Sequence, residues 1–317
     1  MTRCFVLCCL LTAITAASIC GAESGSPEIA PYLTRAGLAG SDPAAQSADA
    51  TADPSKPCDG VSFIRSLKYG ESDLNVLDVA TGDSAGTSPR PVLVFVAGES
   101  FAEEGGTPDD TGAAMDRAMC FAARHGMVGV KVNYRLAPAN PWPAGAQDVA
   151  AATSWVHQNI DLFGGSRAEL VAVGYSVGAF HVASLLAHPE FQTRDSTLAA
   201  AVLVSGIYQS GAEANDAERS YFGADASKYD ERSAFPGILH IDTTILLAWS
   251  VLDPPRLVAQ GERLKERLCN SPTHCPHVTV LKSGNSLASM FETEAASGSL
   301  AEPMLALVRE IEARGLP

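Results

Sequence analysis

The sequence predicts an α/β fold: a mostly parallel eight-stranded sheet flanked by helices on both faces, with a small cap between strands 6 and 7. Three observations carry this. Beyond Cys58, short β-rich runs alternate with longer helical stretches, the order that builds a parallel sheet through crossover helices. Six of the short runs are compactly apolar, as strands covered on both faces must be. The chain has 317 residues, 46% of them hydrophobic, enough to fill one large core.

In chain order, Arg3 precedes an apolar run over 5–19 and then small residues, the three-part pattern of a signal peptide spanning 1–22. Cleavage is expected after Ala17 or Ala22. Cys20 offers a second reading, lipid attachment, but Ala17-Ser18-Ile19 is a poor approach to it. The expected location is therefore exported, periplasmic or secreted. No later stretch offers roughly 18 uninterrupted apolar residues, so the chain is not expected to be integral to a membrane. Residues 23–57 are rich in Ala, Ser, Asp, Gly and Pro and are expected to form a disordered linker, because they bury too little to offset ordering entropy.

The domain proper is expected over 58–317. Runs 61–67 and 74–79 predict two opening strands joined by the turn Tyr69-Gly70-Glu71-Ser72, forming an antiparallel edge. Strands follow at 92–96, 128–132, 170–173, 200–204, 245–249 and 278–281, and helices at 111–125, 144–160, 177–187, 256–269 and 300–314. The long connection 207–243, containing Tyr221-Phe222-Gly223, predicts the cap.

Charge and cysteines narrow the partners and the compartment. Lys plus Arg number 22 against 36 Asp plus Glu, a formal net charge of -14, which excludes a basic nucleic-acid surface. Four of the eight cysteines lie in the leader. Of the rest, Cys269 and Cys275 bracket a turn-rich segment and predict a disulfide, as export would favour. Cys58 with Cys120 follows only by elimination; the alternative is a buried free thiol. The spacing of Cys269, His274, Cys275 and His277 matches no familiar zinc pattern.

The strand at 170–173 runs into Gly174-Tyr175-Ser176-Val177-Gly178 and then a helix. This is the G-x-S-x-G elbow, in which small flanking residues permit a strained turn that exposes the serine hydroxyl. The strand at 245–249 leads into Val251-Leu252-Asp253-Pro254-Pro255, so Asp253 stands where a carboxylate orients a base. It also suits a residue that opens the turn and caps the helix after it.

Tyr134-Arg135-Leu136-Ala137-Pro138, followed by Pro141-Trp142-Pro143-Ala144 and Asp148, resembles the segment after the fourth strand of carboxylesterase-type α/β-hydrolases, in the hormone-sensitive-lipase-like and feruloyl-esterase-like branches. The resemblance runs from about residue 74 to the C-terminus. It implies the α/β-hydrolase fold, Ser176 as nucleophile, Asp253 as orienting acid, and an oxyanion hole from the amide of Val177 with one from Gly98, Glu99 or Ser100. It implies no metal and no organic cofactor.

Two departures oppose that inheritance. The family's His-Gly-Gly-Gly-type loop reads Ala97-Gly98-Glu99-Ser100 here, with one glycine. A Glu99 side chain turned towards the developing oxyanion would repel it by about 4 kcal/mol at about 4 Å and an effective dielectric near 20, or about a thousandfold in rate; turned to solvent, it would leave the backbone donors usable. After the last strand the family's Gly-His-Asn-His-like turn reads Gly284-Asn285-Ser286. By the resemblance, Ser286 stands where the histidine belongs, and a hydroxyl is no base near neutral pH. Among the seven histidines, His181 is nearest to Ser176 in sequence but is expected to point away as a packed helix residue. The expectation is thus a carboxylesterase-type pseudoenzyme or weak esterase that binds a small ester-like or aromatic ligand in the inherited pocket, or a protein partner on its surface. The competing expectation is an active esterase in which Ser176 and Asp253 use a displaced base. No protein partner is specified.

Overall fold

Strand β3 (Arg90–Gly98) shows why the sheet is covered on both sides. Val92, Val94 and Val96 enter one apolar cluster while Leu93 and Phe95 enter another across the sheet, and all five are buried. A strand with no polar face needs a layer on each side.

The computed structural model describes residues 58–83, 88–98, 100–102, 109–193, 195, 197–270, 274–282 and 299–315. The signal-peptide and linker expectations over 1–57, Cys20 among them, lie outside the described residues, as do Glu99, Gly284 and Ser286. Eight strands form one sheet: β1 (Val61–Lys68), β2 (Val76–Gly82), β3, β4 (Val128–Val132), β5 (Gly165–Ser176), β6 (Ala200–Val204), β7 (Thr244–Ser250) and β8 (His277–Leu281), in the order β1-β2-β4-β3-β5-β6-β7-β8. The pairs β1/β2 and β2/β4 are antiparallel and every other pair is parallel. The expected antiparallel opening edge is therefore present.

Helices α1 (Asp109–Arg124), α2 (Ala144–Asn159), α3 (Val177–Ala187), α6 (Pro255–Leu268) and α7 (Ala301–Gly315) cover the faces, and the short α4 (Asp216–Phe222) and α5 (Tyr229–Arg232) lie in the connection predicted to form the cap. Among the described residues no helix is long and apolar enough to cross a membrane.

The second strand starts two residues later than its apolar run. The Asn75 amide hydrogen bonds to the Ser72 carbonyl while its side-chain oxygen accepts from the Ser72 N–H, which extends the turn and leaves Leu74 42% exposed. Strands β3 and β5 run past their apolar cores, because the ladder pairs Gly98 with Ser176 at its far end. Disulfides join Cys58 to Cys120, tying the start of β1 to α1, and Cys269 to Cys275 after α6. The pairing expected for the second holds, and the pairing reached by elimination for the first is formed.

The parallel strands β3, β5, β6 and β7 all end at one edge of the sheet, the edge where open α/β folds bind ligands.

Candidate active site

Strand β5 lies between β3 and β6 and delivers Ser176 directly into α3. Ser176 has φ 53° and ψ -116°, a combination that costs a non-glycine residue about 1–3 kcal/mol. Gly174 makes this corner possible, since a Cβ there would sit 2.5 Å from the Ala179 Cα and 2.8 Å from the Gly178 carbonyl. No side chain caps the N-terminus of α3, so its first amides, that of Val177 included, remain available to an oxyanion.

Gly98 is fixed from beneath: a Cβ there would overlap the Tyr134 hydroxyl and lie 3.7 Å from the Val177 Cβ. The loop after it is propped by the Tyr134–Pro138 motif. Arg135 donates from its amide, Nε and Nη2 to the buried Asp148 carboxylate of α2 at 2.7–3.1 Å, and the Ala137 amide donates to the Phe101 carbonyl at 3.0 Å. Gly98, Ser100, Ser176 and Val177 thereby come together, and Ser100, Ser176 and Val177 border a cavity of about 260 Å³ that Phe101, Ile207 and Arg256 also line.

Asp253 follows β7 as expected and is 8% exposed. Its Oδ2 accepts from the Ser205 hydroxyl at 2.6 Å and from the Ser250 amide at 2.8 Å. It does not cap α6: that helix opens with Pro254 in the capping position and no side-chain cap, and the carboxylate turns back to Ser250 instead.

All seven histidines fall within the described residues, and none hydrogen bonds to Ser176 or Asp253. Nδ1 of His125 is 2.8 Å from the Phe121 carbonyl, and Nε2 of His188 is 3.0 Å from that of Ser233. His274 and His277 face Asp242 and Glu310. His181 packs edge-on against Tyr134 and Tyr221, with ring centroids 4.6 and 5.5 Å away. Burial pushes its pKa down to about 3, so the ring is neutral, and its Nδ1 has no partner among the described residues. It is the packed helix histidine the sequence predicts.

Sequence reasoning missed two contacts at the site. One is the Ser205 bond to Asp253. The other is a half-buried ion pair on the cavity wall, in which Arg256 donates from Nη1 and Nη2 to the buried Glu218 of α4 at 2.5 and 2.7 Å. Neither has a local signature, because the partners stand 48 and 38 positions apart. Among the described residues no group of three or more His, Cys, Asp or Glu is placed to hold a metal ion, and the Cys269 and Cys275 sulfurs are committed to each other.

Residues 109–238 match the model of a family described as having the alpha/beta hydrolase fold. Esterase LipC of Mycobacterium tuberculosis is 31% identical over 153 residues, 45% of this chain and 36% of that protein. Esterase LipQ of the same organism is 32% identical over 143 residues, 42% and 32% of the two chains. The match thus spans about a third of the length of these curated relatives. A tributyrin-phosphonate-inhibited esterase B from Lactobacillus rhamnosis superposes with a TM-score of 0.65 at 16% identity, covering 81% of this chain and 88% of that one; it is a likeness of fold.

Proposed function

We propose that this chain, which matches an alpha/beta-hydrolase family over residues 109–238 and is 31% identical to an esterase over 45% of its length, is an exported protein of carboxylesterase lineage that keeps the ligand pocket of that lineage without efficient hydrolysis. Its ligand is a small ester-like or aromatic molecule. One observation carries the reading: Ser176 and Asp253 both hold their corners, yet no imidazole hydrogen bonds to either. The segment 283–298 contains no histidine, so it supplies no imidazole. Loss of a triad histidine lowers kcat by about a millionfold in a well-studied serine hydrolase, and the residue left by oxyanion stabilisation and binding is about 10³–10⁴ over water. The disulfides support export, since such bonds persist in oxidising compartments.

The test is p-nitrophenyl butyrate turnover by wild type, Ser176→Ala and Ser286→His. The expected wild-type rate lies near background and falls less than tenfold in Ser176→Ala. Turnover of 1 s⁻¹ or more, on the order of ordinary enzymes, that Ser176→Ala abolishes would overturn the reading.

The strained Ser176 favours a second reading, a working serine carboxylester hydrolase with a displaced base, because strain of this kind is expensive to keep without use. Asp253 would orient that base, and the amide of Val177 with one from Gly98, Glu99 or Ser100 would hold the oxyanion. It predicts rapid labelling of Ser176 by an organophosphonate, and the first reading predicts none above the Ser176→Ala control.

A further inference from the structure

Among the described residues the wall of the Ser176 cavity carries one cation, Arg256, and its partner is unusual. Glu218 is 0% exposed, is reached by both Nη atoms of Arg256, accepts from the Ser210 hydroxyl at 2.9 Å, and has its own amide bonded to the Asn215 side chain. Both carboxylate oxygens are thus satisfied and the guanidinium is locked in place. A bidentate fork uses only part of the donor set of an arginine, which has five N–H groups. Arg256 forms no other hydrogen bond among the described residues, keeps 27% of its side chain exposed, and borders the cavity with Ser176.

Size and charge define what fits. At about 260 Å³ the cavity falls below the roughly 300–1,000 Å³ of sites for drug-sized ligands, so its occupant is short. The charge of Arg256 is matched by Glu218, and Glu213 adds a second carboxylate to its field. Among the described residues an anion entering the cavity would meet no excess of positive side-chain charge, whereas a neutral oxygen acceptor can use the remaining N–H donors of Arg256.

We propose that Arg256, pinned by Glu218, is the polar anchor of the Ser176 cavity, and that the cavity takes a short uncharged ester whose acyl chain carries a second acceptor oxygen, such as a 3-oxo ester. The proposal rests on the pocket reading above and deepens it.

Three near-isosteric probes test it by calorimetric titration of the full chain: methyl acetoacetate, methyl isovalerate and monomethyl malonate. Methyl acetoacetate is expected to bind about tenfold more tightly than methyl isovalerate, the worth of one charge-assisted hydrogen bond, with monomethyl malonate weakest. Arg256→Lys keeps the charge but loses the fork, and should bring the first two probes within about twofold of each other. The double variant Glu218→Leu, Arg256→Met removes both ions together, which proteins often tolerate, and should do the same without loss of fold. Equal affinity of the two neutral probes for wild type, or a preference that survives in the double variant, overturns the role of Arg256 and leaves the pocket reading standing. Tightest binding by monomethyl malonate overturns the uncharged class. No heat from any probe overturns the pocket reading together with this one.

Discussion

The two corners of the site differ in what holds them. At the nucleophile corner the backbone is strained and the side chain holds nothing else in place: Ser176 has φ 53°, and among the described residues its hydroxyl forms no hydrogen bond to a histidine. At the acid corner the side chain is employed: Asp253 accepts from Ser205 and Ser250 and closes the turn after β7. The difference separates two kinds of inheritance. Ser176 keeps its conformation because β5 and α3 must join within a space set by Gly174 and Ala179, so folding itself preserves the elbow. Asp253 keeps its identity because two buried donors need an acceptor. A base supplied from the segment after β8 would have neither protection, since its imidazole would serve proton transfer alone, and by the resemblance Ser286 stands at that position.

The largest expected effect tests whether folding dictates the elbow. Gly174→Val places a side chain against the Ala179 backbone of α3, and Gly174 sits in a central strand that cannot retreat. The expected loss is about 4 kcal/mol, at the diagnostic end of single substitutions, read by urea denaturation. A loss under about 1 kcal/mol would mean that the corner adjusts freely, and the contrast with Asp253 would collapse.

A smaller effect belongs to His181, the imidazole behind the nucleophile corner. Its folded pKa of about 3 lies below the ordinary 6.5, so between those values the unfolded chain binds a proton that the folded chain refuses. Stability is then full above pH 6.5 and falls as the pH drops towards 3. Between pH 7.5 and pH 5 the expected loss from this group is about 2 kcal/mol, and His181→Gln should flatten that part of the profile. An unchanged slope in the variant would mean that the ring is solvated and not the packed residue described above.

How much of this was legible follows from the range of each interaction. The eight strands were readable because burial on both faces leaves compact apolar runs, and the elbow because its glycines and serine are contiguous. Strand β2 was misplaced by two residues because the side chain of Asn75 extends the turn, a detail that apolarity does not encode. Arg135 and Asp148 carried the resemblance, but their work in propping the loop at Phe101 needed coordinates. Ser205 with Asp253 and Glu218 with Arg256 are polar pairs joined only by the tertiary fold, and each residue alone reads as surface. The capping role given to Asp253 failed for the same reason: the competing donors, Ser205 and Ser250, come from the ends of two adjacent strands.

The smallest effect separates the corners most cleanly, because both carry a serine with positive φ: 53° at Ser176 and 51° at Ser205. Glycine relieves such a backbone at little steric cost. Ser176→Gly removes no hydrogen bond that the described residues show, so it is expected to stabilise the fold by about 1 kcal/mol, the lower end of the strain stored there. Ser205→Gly gains similar backbone relief but deprives the buried Asp253 of a 2.6 Å donor, a loss of about 1 kcal/mol or more, so its net effect is near zero or unfavourable. Denaturation midpoints of the two variants, compared at equal m-value, give the answer. A gain at Ser176 alone means that the nucleophile corner carries strain with no structural return while the acid corner is integrated into the fold. Equal gains at both would show that Asp253 finds another donor, and that its bond to Ser205 holds nothing in place.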